Sequence, residues 1–229
     1  MFPSEVEGWL GKDMYEGIVQ TEGAVSKATG FTYPTSQQSQ FKSLYHQLRR
    51  CNWGVEKPIT LMDFGGGVGD LIPFLLKRGV RLSGYGIVDP VGEFADAACS
   101  TAEAESIPVL YAGYPRSWDE LPVFDVFVAL SVFSWWTGPA DRHKETVLSS
   151  WKQMHRHARL GCSLTLTSPW ADWFDHYQRP VSPDWFVQQT KDMGVERVNI
   201  DLLEAPHLFT AHTALGVSDF RREWGKKSW

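Results

Sequence analysis

The sequence predicts a mostly parallel, doubly wound, seven-stranded α/β sheet with one antiparallel strand near its edge, preceded by an N-terminal helical lid. Three observations carry this prediction. From residue 59 onward short apolar runs alternate with segments of helical periodicity, as expected for βα units with helices covering both faces of a sheet. The first apolar run ends in Asp63 and opens into Phe64-Gly-Gly-Gly-Val-Gly-Asp70, a loop whose glycines let the backbone pass close to a ligand. The last two strand-like runs, 195–203 and 207–215, are joined only by the turn 204–207, so they pair antiparallel.

The elements follow in order. Residues 1–35 are loosely patterned and glycine-dotted, and read as short helical pieces. In 36–50 Phe41, Leu44, Tyr45 and Leu48 recur at i, i+3, i+4 and i+7, which marks an amphipathic helix. Residues 1–50 therefore form the lid segment and 51–229 the α/β domain of one globular unit. After a loop at 52–58, strand one spans 59–64, a short helix spans 70–78 and ends near Gly79, and strand two spans 82–88. Asp89-Pro90 turns into a helix over 92–104, and strand three follows at 107–112. Phe124 to Leu130 is strand four, apolar almost throughout, as a strand covered on both faces requires. A helix over 139–158 carries Arg156, His157 and Arg159 near its negative end and stops at Gly161, and strand five spans 162–167. A last helix covers 183–193.

Composition narrows the function classes. A formal charge of -5 argues against broad contact with nucleic-acid phosphates, which needs many Lys and Arg. The basic cluster Arg221, Arg222, Lys226 and Lys227 reads as a solvated tail. Cys51, Cys99 and Cys162 are scattered, so they read as reduced thiols with neither disulfides nor a metal site. No signal-peptide pattern and no apolar run of spanning length is visible, which points to a soluble, cytoplasmic protein.

The chemistry concentrates at two strand ends. Ligands of such sheets bind beyond the carboxyl ends of the strands, where the strand order reverses. The glycine loop and Asp89 both fall there. A dinucleotide fingerprint would place its third glycine at position 70, which is Asp70, and Asp63 sits ahead of the loop. Acids on both flanks make a poor cradle for a diphosphate and a good one for a cation. A nicotinamide-dependent oxidoreductase is accordingly the weaker reading.

The spacing Asp-x-Gly-x-Gly-x-Gly-Asp-Leu (Asp63 to Leu71), the segment Ser36-Gln-Gln-Ser-Gln-Phe41 before it, the strand Tyr85-Gly-Ile-Val-Asp89 after it and a late Phe209-Thr210 resemble the class I S-adenosylmethionine-dependent methyltransferases, Rossmann-like enzymes, and within them a small bacterial and phage-type subgroup. The resemblance covers roughly residues 36–215. It implies S-adenosyl-L-methionine as cofactor, with Asp63 near the methionine amine and the backbone of Gly65, Gly66, Gly67 and Gly69, flanked by Asp70, along the methionine and ribose. Asp89 would accept both ribose hydroxyls, and Pro90 or Val91 would pack on adenine. Gly113-Tyr114 stands where the family often has Gly-Asp, so adenine recognition there rests on backbone and stacking. Leu130, Ser131, Val132 and Phe133 would run beneath the sulfonium, opening towards the acceptor. The arginine usual near the aromatic residue of the leading helix is replaced, with Gln40 and Lys42 in its place.

Methyl transfer needs alignment and exclusion of water more than covalent help, so no catalytic residue is assigned. His143, Asp172, His176 and Tyr177 are candidates for a general base, each reading first as a surface or packing residue. His155 and His157 suit a helix end, and Asp125 lies at the wrong end of strand four. Trp135, Trp136, Trp170, Trp173, Phe174, Tyr177 and Trp185 either roof the sheet edge or wall an acceptor pocket. Neither the Asn/Asp-Pro-Pro-Tyr/Phe signature of DNA amino-methylation nor a cysteine follows strand four, so the acceptor is expected to be a small molecule. The competing expectation is a protein that binds the cofactor without turnover, as a scaffold or regulator. Oligomeric state is left open.

Overall fold

A computed structural model describes residues 11–24, 34–134, 138–170, 178–202 and 208–215. Seven strands form one sheet: β1 (Ile59–Phe64), β2 (Leu82–Val88), β3 (Val109–Gly113), β4 (Phe124–Ala129), β5 (Ala158–Thr167), β6 (Val198–Leu202) and β7 (Leu208–Thr213). The helices are α1 (Gly11–Glu22), α2 (Pro34–Arg50), α3 (Leu71–Leu76), α4 (Gly92–Ala104), α5 (Ala140–Arg156) and α6 (Pro183–Asp192).

The strand order is β3-β2-β1-β4-β5-β7-β6. All pairs from β3 to β5 are parallel, and β7 runs antiparallel to both of its neighbours. β7 is thus the one reversed strand, as the short turn before it predicts. Order reverses between β1 and β4, so a crevice opens where β1 and β4 send their following segments to opposite faces.

Alternating residues supply the two layers of core. On one face Phe64, Phe124, Phe127, Leu164, Leu166 and Phe209 pack against Trp151, Met154 and Phe186 of α5 and α6. On the other face Leu61, Tyr85, Ile87, Val126 and Val128 meet Leu44 and Leu48 of α2, Leu71 and Leu75 of α3, and Ala98 and Ala102 of α4. Phe64 stacks between Trp118, 5.3 Å away, and Phe133, 6.2 Å away. Two of the tryptophans outside the cluster singled out from sequence, Trp118 and Trp151, thus lie in the core beneath the strands.

Boundaries differ from expectation at several elements, with β3 starting at Val109 and β6 at Val198, and most at the α5–β5 junction. The helix α5 ends at Arg156 and β5 begins at Ala158, four residues earlier than the predicted strand. His157 alone makes the connection, its amide bonding to the Gln153 and Met154 carbonyls. Gly161 is therefore not a helix stop. It lies inside β5, where a side chain would run into the Thr213 carbonyl and the Trp53 ring.

The N-terminal helices pack at the ligand-facing end. Tyr15, Ile18 and Val19 of α1 rest on Val68, Val91 and Phe94, with Tyr15 edge-on to Phe94 at 6.2 Å. Phe41 of α2 meets Phe74 at 5.3 Å. Further along α2, Ser43 Oγ lies 2.8 Å from His212 Nε2, whose Nδ1 lies 2.7 Å from Ser163 Oγ. Thr165 and Thr210 join hydroxyls at 2.9 Å across β5 and β7.

Candidate ligand site at the β1–β4 crevice

The site begins with β1. Leu61 and Met62 anchor the strand, and the chain leaves it through three glycines with positive φ: Gly65 at 72°, Gly67 at 56° and Gly69 at 80°. A side chain at these dihedrals is strained, so glycine is the residue that makes this turn at low cost. The Gly65 amide donates to the Val88 carbonyl at 2.6 Å, tying the loop to the end of β2. Gly66 is bare for a different reason, because a Cβ there would lie 2.6 Å from the Asp63 carboxyl and from Ile87.

Asp63 therefore lies directly beneath the loop, and it is 3 % exposed. The Tyr85 hydroxyl donates to its Oδ2 at 3.0 Å. Burial pushes the Asp63 carboxyl up to about 7; the tyrosine bond opposes that rise, and the charges of Asp89 and Asp70 add to it. Tyr85 itself is pushed well above its ordinary value, first by burial and then by Asp63.

Asp89 ends β2 with its carboxylate clamped. Oδ2 accepts the Gly67 amide at 3.1 Å and Oδ1 accepts the Val91 amide at 3.0 Å. Each oxygen keeps lone-pair capacity for another donor. Burial raises Asp89 to about 6, against the pull of the two amides. Tyr15 of α1, raised to about 12 by burial and then by Asp89, closes this side. A neutral diol paired to Asp89 and a cation near Asp63 would satisfy both acids, and no cationic side chain is bonded to either among the described residues.

The remaining positions are distributed as follows. Asp70 precedes α3 and its Oδ2 accepts a bond from Gln37 Nε2 of α2 at 3.3 Å. Pro90 is half-buried between Asp89 and the fully buried Val91. Gly113, at φ 136°, closes β3 next to Val88, and Tyr114 is partly buried against the core cluster that holds Phe64 and Trp118. Leu130 leaves β4 buried, and Ser131 follows at φ 64°. Ser131 Oγ accepts a bond from Gln40 Nε2 at 2.7 Å.

Of the four candidate bases, the structure describes His143 alone. Its Nε2 lies 2.8 Å from the Phe133 carbonyl, so that nitrogen carries a proton and donates. Burial lowers its pKa, with Arg179 and Lys144 adding to the effect. A neutral imidazole tied to the β4–α5 connection positions that connection. Asp172, His176 and Tyr177 lie outside the described residues, as do Trp135, Trp136, Trp173, Phe174 and the basic tail. Trp170 is 55 % exposed, and Trp185 has Lys144 Nζ 5.4 Å from its ring centre. Asp125 sits at the opposite end of the sheet as expected, bound to Thr60 and at 3.2 Å from Arg159.

Sequence reasoning missed Tyr85 as the partner of Asp63, and Tyr15 as the wall beside Asp89. The first left a signal. A tyrosine in an otherwise apolar buried strand must find an acceptor for its hydroxyl. The second left none, because α1 and Asp89 are brought together only by the fold. No group of His, Cys, Asp or Glu able to hold a metal occurs among the described residues.

The fold is that of the class I, S-adenosylmethionine-dependent methyltransferases. Among solved structures, magnesium protoporphyrin IX methyltransferase from Synechocystis PCC 6803, determined with bound S-adenosylhomocysteine, superposes with a TM-score of 0.59. It is 12 % identical, and the match covers 88 % of this chain and 93 % of that one. A SAM-dependent methyltransferase from Aquifex aeolicus gives a TM-score of 0.54 at 19 % identity, covering 82 % and 97 % of the two chains. TehB from Haemophilus influenzae gives 0.55 at 14 % identity, covering 76 % of this chain and 61 % of its own. No protein-family model matches the chain, and no characterised protein matches it in sequence.

Proposed function

We propose that this chain binds S-adenosyl-L-methionine in the β1–β4 crevice and is a methyltransferase acting on a small molecule. The observation that carries the reading is the Asp89 carboxylate, held by the Gly67 and Val91 amides with one lone-pair position per oxygen left for a ribose diol. Two of the structural neighbours named above are methyltransferases, which supports the same reading.

When bound, the cofactor supplies an electrophilic methyl group on a positively charged sulfur. The chain's own part is to bind, align and exclude water. Asp89 orients the sugar, and Asp63, beneath Gly66, supplies negative potential to the cationic end. The bare backbone of Gly65 to Gly69 permits van der Waals approach, and the exit of β4 at Leu130 and Ser131 forms the floor towards the acceptor. With α1 seated on Val68, Val91 and Phe94 and α2 over the loop, residues 1–50 serve as the lid, and residues 51–229 as the domain beneath it. Among the described residues no helix is long and apolar enough to cross a membrane. The formal charge of -5 supports a small molecule over a nucleic acid as acceptor.

Calorimetric titration with S-adenosylhomocysteine tests this. Saturable one-site binding that Asp89→Ala weakens by about 100-fold is expected from loss of a charge-assisted diol contact. Absence of binding by the unaltered chain contradicts it.

A further inference from the structure

Asp63 and Tyr85 meet across two parallel strands. β1 and β2 pair with Leu61 beside Tyr85 and Asp63 beside Ile87, so the Tyr85 side chain runs one pleat forward to reach the carboxyl. Leu61 and Ile87, on the same face, are aliphatic and fully buried, and packing there asks for no hydroxyl. A buried phenol does ask for an acceptor, and this one has Asp63 Oδ2 at 3.0 Å. The same oxygen lies under Gly66, 2.6 Å from where a Cβ would stand. No other bond to this carboxyl occurs among the described residues, so Oδ1 is the oxygen left for a ligand.

The groups that face Asp63 act on its charge in opposite directions. Burial favours the neutral acid most strongly, and the charges of Asp89, at the end of β2, and Asp70, ahead of α3, add to it. Among the described residues Tyr85 alone pulls the other way, because its hydroxyl donates to a carboxylate. With that bond in place the carboxyl stands at about 7, poised between its two states near neutral pH. Behind Tyr85, α4 presents the Cys99 thiol, and α1 presents Tyr15 to Asp89, so neither adds a cation. A neutral Asp63 would offer little attraction to a positive charge.

We propose that Tyr85 is a positioning residue for donor binding: its hydroxyl pins Asp63 Oδ2 beneath Gly66 and sets the orientation and charge with which that carboxyl meets a cation. The inference rests on the donor reading above, but Tyr85 itself touches no ligand. It sets the lowest pH at which the donor is held well.

Calorimetric titration of the full chain and its Tyr85→Phe variant across pH tests this. At pH 7 the variant is expected to bind S-adenosylhomocysteine about fivefold more weakly, the size of one lost hydrogen bond to the carboxylate. At pH 8.5, where Asp63 is ionised in both chains, the gap should close to within about twofold. 5′-Methylthioadenosine, which keeps the adenosine and thioether and has no cationic end, should change by less than about twofold at either pH. An equal loss at both pH values, an equal loss for both ligands, or no loss at all overturns the role of Tyr85. Should Tyr85→Phe not fold, Tyr85→Met fills the apolar site without a donor and carries the same expectations. Failure of the unaltered chain to bind S-adenosylhomocysteine would remove the donor reading itself. Binding by the unaltered chain with an indifferent variant would remove only the role of Tyr85.

Discussion

Two clusters of buried polar groups lie on the same face of the sheet, on either side of β4, and they follow opposite rules. Beneath α2, Ser43, His212 and Ser163 form a closed chain of hydrogen bonds, with Thr165 and Thr210 paired alongside. Every ring nitrogen of His212 has a hydroxyl, and burial followed by the charge of Arg50 lowers its pKa to about 3, so it stays neutral. At the β1–β4 crevice Asp63 and Asp89 are both buried and both raised, bonded among the described residues to a phenol and two amides alone. Burial of polar groups costs little when donors and acceptors match and much when like charges gather. The first cluster is complete as it stands and glues α2 to the sheet. The second is an excess of acceptors, which under the proposed function a cationic, hydroxyl-bearing ligand balances.

The sharpest break between the two should appear on mutation. Asp89→Ala should weaken S-adenosylhomocysteine by about 100-fold, near 2.7 kcal/mol, with a modest change in thermal midpoint. His212→Leu should do the reverse. It strands the Ser43 and Ser163 hydroxyls and should cost about 2–3 kcal/mol in chemical denaturation, leaving ligand affinity within about twofold.

The pH dependences should also run in opposite directions. The folded pKa values of Asp63 and Asp89 stand above the unfolded carboxylate value. Their contribution to stability is therefore full below about pH 4 and is lost as pH rises through 6 to 7. The folded pKa of His212 is depressed, so its contribution is present above the unfolded value of about 6.5 and is lost as pH falls towards 3. Asp63→Asn should accordingly raise the ligand-free midpoint at pH 7.5 by several degrees, with no gain at pH 4, while weakening the ligand. The deficit of His212→Leu should instead shrink as pH is lowered below about 6.5. The smallest effect belongs to the threonine pair. Thr165→Val should cost about 1 kcal/mol by orphaning Thr210, and the double change to valine should cost less than the sum of the two singles.

How much of this was legible before the fold divides along sequence distance. β1 and β2 have the bounds that their apolar runs and flanking glycines predict, and the placement of Asp63 and Asp89 at strand ends was legible because a strand end and its loop are local features. The α5–β5 junction was misplaced because one residue, His157, replaces the usual loop, and Arg159 and Gly161 look nothing like strand interior. Gly161 is there because the Trp53 ring comes from elsewhere in the chain, and no local pattern announces that. Gln40 and Ser131 are 91 residues apart, and Ser43 and His212 are 169 apart. Such pairs exist only once α2 has docked. Helical periodicity placed Phe41, Leu44 and Leu48 inward, but it could not say which polar residues between them would be buried too.

If Asp63 faces the cationic end of the donor and Asp89 its diol, as proposed, both acids ionise on binding and proton release reads it directly. Calorimetry with S-adenosylmethionine at pH 6.5, repeated in buffers of different ionisation enthalpy, should show net release of roughly one proton as Asp63 and Asp89 give theirs up. Tight binding with an apparent enthalpy independent of the buffer, at pH 6.5 and again at 5.5, would contradict it.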